Sequence, residues 1–134
     1  MTEPISPNIQ SLLKYLRKSQ LIGISFEPTK LWARLEFTAG PQGYDVIIQL
    51  FQIVHFVLSK DTDDDECFYV GSIDLTFIED GGKEILSSLL YPFRDRDGSV
   101  ASYPSRSLFY LRIEGGVCIE AVCGSYQVFQ QIKG

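Results

Sequence analysis

The sequence predicts an α+β domain built on a mostly antiparallel, curved or barrel-like sheet of about six to seven strands, with an N-terminal amphipathic helix and one short internal helix. Three observations lead there. One apolar stripe at helical spacing opens the chain, period-two alternation dominates most of the remainder, and turn residues punctuate the alternating runs. A chain of 134 residues, 45% hydrophobic and 22% charged, has enough apolar side chains for one core and too few residues for two, so residues 1–134 read as a single domain.

Ser6 before Pro7 supplies an N-cap and a proline tolerated in the first turn, and Ile9, Leu12, Leu13 and Leu16 follow at i, i+3, i+4 and i+7. The spacing predicts a helix over 7–19. Lys14, Arg17 and Lys18 near its end complement the negative pole of the helix dipole. The period then changes to two: Leu31, Ala33, Leu35 and Phe37 alternate with Trp32, Arg34 and Glu36. Ala39–Gly43 is a turn, and Tyr44–Leu58 returns as the second arm of a long hairpin. Large apolar side chains occupy both parities of Val46–Leu58. That strand must be covered on both faces or bent by a bulge near Gln52, with a buried helix over 46–58 as the competing reading.

After the hydrophilic run Asp61–Glu66, Cys67–Ile78 alternates again, with Tyr69, Ile73, Leu75 and Phe77 on one side. Asp80-Gly81-Gly82 breaks that strand, and Ile85, Leu86, Leu89 and Leu90 predict a short helix over 83–90, ending before Pro92. Phe93–Arg106 is the longest irregular stretch. Leu108–Glu114 and Val117–Cys123 form a hairpin in which Gly115-Gly116 supplies positive φ, and Tyr126–Ile132 is a last strand. This layout resembles that of many small bacterial domains, some contact-toxin immunity proteins among them; the resemblance is architectural, rests on no shared functional residue and transfers no site.

Charge is unevenly distributed. Residues 1–60 hold six Lys and Arg against four Asp and Glu, whereas residues 61–134 hold six against thirteen, a net of +2 against −7. A total of −5 argues against binding a phosphate backbone, so no nucleic-acid partner is expected, and a basic protein partner suits the second half. The predicted acidic surface comprises Asp63, Asp64, Asp65, Asp95 and Asp97. The opening residues lack the basic and apolar regions of a signal peptide, and Val46–Leu58 is interrupted by Gln49, Gln52 and His55, so neither export nor a membrane partner is expected. Three cysteines in no disulfide pattern point to a reducing compartment, and the expected location is cytoplasmic.

No motif specifies a chemistry. Asp61, Asp63 and Asp65 begin a calcium-loop spacing, but Glu66 stands where glycine is needed and Ser72 where the bidentate glutamate belongs. His55, Cys67, Cys118 and Cys123 are the residue types of a zinc site or a Cys–His nucleophile. Their spacing fits no tetrahedral set, and Cys118 and Cys123 differ in strand parity, so no metal and no cofactor is expected. Glu36, Asp74 and Glu120 alternate with apolar residues and read as surface. Two functions fit this inventory. The first is a non-catalytic protein-interaction or regulatory module, with self-association as a homodimer expected if the helix leaves one face of Val46–Leu58 uncovered. The second is a small-molecule site, or a modest enzyme, in the mouth of the curved sheet, lined by Trp32, Tyr44, Tyr69 and Tyr110 and gated by the 93–106 loop.

Overall fold

The computed structural model describes residues 7–40, 43–60, 68–79, 86–88, 94–99 and 107–131. One helix, α1 (Pro7–Leu16), precedes six strands: β1 (Gln20–Glu27), β2 (Trp32–Thr38), β3 (Asp45–Lys60), β4 (Val70–Ile78), β5 (Leu108–Gly115) and β6 (Val117–Gln131). They form one sheet in the order β1-β2-β3-β6-β5-β4, and each neighbouring pair is antiparallel. The antiparallel sheet and the N-terminal helix are as expected. The α+β description fits only loosely, because strands dominate and α1 is only ten residues long. Of the expected helix over 83–90, Leu86 is helical and Ser87 and Ser88 turn; the rest lies outside the described residues.

The sheet curls until its two edges touch. Leu21 N–H donates to Phe68 O at 2.9 Å, Val70 N–H to Ser19 O at 2.8 Å and Lys18 N–H to Val70 O at 2.9 Å, while Gln20 stands opposite Tyr69. Beyond these residues no ladder between β1 and β4 is present among the described residues, so the curl does not close into a barrel. The concave face carries the main core, and a smaller cluster of Leu86, Leu108 and Val122 is buried on the convex face. Ala33, Leu35, Phe37, Val46, Ile48, Leu50, Ile73, Leu75, Leu111 and Ile119 are buried in the main core, with Leu12, Leu13 and Leu16 of α1 packed among them.

The apolar excess of β3 is covered within one chain over Val46–Leu50, while Val57 and Leu58 at its distal end stay exposed. The strand is continuous, so the buried helix is excluded, and it is bent where Gln52 takes φ 55° and the register with β6 shifts between Ile53 and His55. Val46, Ile48 and Leu50 enter the core, and Ile47, on the opposite parity, is buried too. The strip that motivated a homodimer is therefore not exposed over Val46–Leu50, and α1 shares a core with it.

Other expectations are corrected. The helix stops at Leu16, because Lys18 adopts φ 74° and turns the chain into β1. Strand β1 itself has no counterpart in the sequence reading. In β4 a register shift between Val70 and Ser72 buries Val70 and leaves Tyr69 exposed, against the even alternation expected. Among the described glycines only Gly40 and Gly98 have positive φ. The β5–β6 turn needs glycine for close approach instead: a Cβ on Gly115 would lie 2.6 Å from Gly71 N and closer still to Tyr69 O. Finally, β6 runs unbroken past Gly124, so the separate last strand is the distal half of β6.

Candidate functional site

The four aromatic residues expected to line one mouth are dispersed. Trp32 lies opposite Glu27, and Tyr44 stacks on Tyr15 beyond the other end of β2, with ring centroids 4.3 Å apart. Six residues of extended chain separate Trp32 from Thr38, roughly 20 Å, which keeps Trp32 and Tyr44 out of a common site. Tyr110 sits between inward-facing Phe109 and Leu111 and so points to the convex face, while Tyr69 stands exposed where β4 meets β1. Of the 93–106 gate, residues 94–99 form an exposed turn; the rest lies outside the described residues.

Asp63, Asp64 and Asp65 of the expected acidic surface, and Cys67, also lie outside the described residues. Asp95 and Asp97 are exposed. Asp97 accepts from Ser99 N–H at 2.9 Å and Ser99 Oγ at 2.6 Å, and the hydrogen bond from the Ser99 side chain holds its carboxyl below the usual range. Cys118 is exposed on the convex face and Cys123 is buried on the concave one, as strand parity requires. Burial pushes the Cys123 thiol up to about 12.

One polar cluster was not foreseen. His55, Glu120 and Tyr110, from β3, β6 and β5, meet on the convex face: His55 Nε2 is 3.2 Å from Glu120 Oε2, and Tyr110 Oη donates to Glu120 Oε1 at 2.5 Å. The phenol hydrogen bond is the main influence holding the Glu120 carboxyl below its ordinary value, with His55 acting in the same direction. Burial, then the bond to Glu120, pushes Tyr110 up to about 12. The His55 side chain is only 5% exposed, and its ring makes a cross-strand tie to Glu120. In the sequence Glu120 has the pattern of plain surface, because its partners lie ten and 65 residues away and no local spacing marks them.

An apolar feature lies on the concave side. Pairing of β2 with β3 ends at Ala33 and Leu50, after which Ile53 N–H reaches Leu31 O at 2.9 Å and, among the described residues, β3 continues with β6 as its only strand partner. The end of β1 curls over this distal half, bringing the Phe26 and Phe56 rings to 5.9 Å. At the other end Lys60 Nζ lies 4.6 Å over the Phe68 ring, whose backbone holds Leu21. These contacts make a circuit through β1, Phe68 and β3 around a lateral window. Residues directly opposite in an antiparallel pair share a face, so Ile24, Phe26, Phe56 and Leu58 face inward beside buried Leu35, Ala33, Ala121 and Ile119. Three of them are nonetheless poorly covered, Ile24 at 36% exposed, Phe26 at 47% and Leu58 at 50%, as is neighbouring Phe68 at 39%. A groove of 430 Å³ runs along Gln20–Ile24 to Phe68.

These features define a small curled antiparallel sheet with an apolar lateral opening. Neither a family model nor a curated protein matches the chain, so its geometry alone bears on its function. No helix among the described residues is long and apolar enough to cross a membrane.

Proposed function

We propose that the protein is a non-catalytic interaction module that binds another protein at the window between β1 and the distal half of β3. One observation carries this reading: Ile22, Ile24, Phe26, Leu58 and Phe68, all at least 36% exposed, lie around a single opening. Large apolar side chains left in water on one contiguous surface gain about 25 cal/mol per Å² when a partner covers them, whereas scattered exposed residues offer no such cooperative gain. Strand β1 adds a polar reason. Among the described residues its outer edge bonds only near Leu21, and the stretch Ile22–Phe26 carries neither the charge nor the proline that usually blunts an edge.

Site-directed photocrosslinking in cells tests the reading. A photoreactive phenylalanine at position 24 is expected to trap a discrete partner that the same probe at position 129, exposed elsewhere on the sheet, does not trap. Equal capture at both positions, or none at position 24, would overturn it.

A further inference from the structure

We infer that the convex face of β1, β2, the first half of β3 and the distal half of β6 is a second binding surface, for a neutral oligosaccharide. It is independent of the window, which lies on the concave side. Register places its residues. Ser25, Arg34, Gln49 and Gln127 stand opposite one another in a row across the four strands, and Gly23, Glu36, Ile47 and Phe129 form the next row. Because Ala33, Leu35, Leu50 and Val128 face inward, the side chains of Trp32, Arg34, Gln49, Phe51, Gln127 and Phe129 point outward.

Three rings on this face lie outside the packed clusters. Trp32, Phe51 and Phe129 belong to neither, and among the described residues none of them contacts another ring. The polar groups between them are also uncommitted: among the described residues, the Gln49 and Gln127 amides and the Trp32 indole N–H have no hydrogen-bond partner. Charge narrows the choice of ligand. The one cation among these side chains, Arg34, has its Nε 3.1 Å from Glu36 Oε1, so an anionic ligand finds its counter-charge already engaged. An uncharged, hydroxyl-rich ligand is the class that the rings and the amides both serve. The C–H face of a pyranose is slightly positive and stacks on the negative face of an aromatic ring, while its hydroxyls donate and accept as a carboxamide does. The layout suits an elongated ligand. Ser125 stands opposite Phe51, and Phe129 lies four residues further along β6, roughly 13 Å at strand spacing, with Gln127 midway.

An array of immobilised neutral and sulfated oligosaccharides, probed with the intact protein and followed by titration calorimetry on the strongest neutral hit, tests the inference. Neutral oligosaccharides longer than a disaccharide are expected to bind. Their affinity should fall about tenfold or more on Trp32→Ala and on Gln127→Ala, but not on Tyr69→Ala, which removes an exposed ring elsewhere on the sheet. If Trp32→Ala does not fold, Phe129→Ser replaces it, at a side chain 43% exposed, and Phe129→Tyr should retain binding. A preference for sulfated oligosaccharides would overturn the neutral ligand. Equal losses on Tyr69→Ala, hits indifferent to Trp32, Gln127 and Phe129, or no bound oligosaccharide would overturn the surface itself.

Discussion

At the scale of single residues, the cross-strand tie of His55, Glu120 and Tyr110 and the two described thiols behave according to what surrounds them. Glu120 has a folded-state pKa below its ordinary value, so its contribution to stability is complete above the unfolded carboxylate range and is lost as pH falls through the lowered value. Glu120→Gln is therefore expected to lower the urea midpoint at pH 7 by an amount equivalent to about 1 kcal/mol, with the gap to the wild type narrowing toward pH 3. Tyr110 has the opposite sign. Its raised pKa gives stability that is complete below the unfolded phenol value and lost as pH climbs toward about 12, so an alkaline absorbance titration should lose a late tyrosine phase in Tyr110→Phe. The thiols differ by burial alone. With Cys67 replaced by serine, a thiol reagent should modify Cys118 rapidly in the native protein and Cys123 only on unfolding; fast modification of two thiols would contradict the buried position of Cys123.

Among elements, strands with one buried face were legible in the sequence and irregular ones were not. Ala33, Leu35 and Phe37 of β2 are buried between partly exposed Trp32, Arg34 and Glu36, and that alternation is plain in the residue order. The bend of β3 near Gln52 was readable for the same reason, since a regular strand cannot hide both parities of Val46–Leu58. Strand β1 escaped because it is an edge that leaves Ile22, Ile24 and Phe26 exposed, and a shift between Leu21 and Gly23 breaks its pattern. The window escaped with it, since its residues come from β1, distal β3 and Phe68, brought together only by the curl. The bend has a testable partner. A Cβ on Gly124 would stand 3.0 Å from Gln52 Cβ, with Gln52 Oε1 closer still, so Gly124→Ala should cost about 1–3 kcal/mol. Gln52→Gly removes the obstructing side chain and relieves a non-glycine positive φ, so the double variant should recover most of that loss in a denaturation cycle. Independent, additive losses would show that the two residues do not constrain each other.

For the whole molecule, stability and exposure divide the concave face between two tasks. Helix α1 lies nearest β4, and Leu16, 1% exposed, is held over the seam where Ser19 Oγ donates to Leu16 O and Val70 N–H to Ser19 O. Removing Leu16 beyond Cβ leaves a cavity at the place where the two edges meet, and Leu16→Ala should cost about 2–5 kcal/mol, a large share of the roughly 5–15 kcal/mol that holds a domain together. The side chains around the window give the opposite expectation. Ile22 is 54% exposed and Phe68 39%, so each already forgoes much of the burial that would make it a stabilising residue, and Ile22→Ser and Phe68→Ser should each shift stability by less than about 1 kcal/mol. Apolar side chains whose replacement hardly changes folding are free to serve contact with a partner. The decisive comparison is made on the same variants: urea midpoints near the wild type together with loss of photocrosslinking from position 24 would separate the binding role of the window from the structural role of the core. A loss of stability at Ile22 or Phe68 as large as that at Leu16 would instead make the window an extension of the core and remove the physical reason for a partner there.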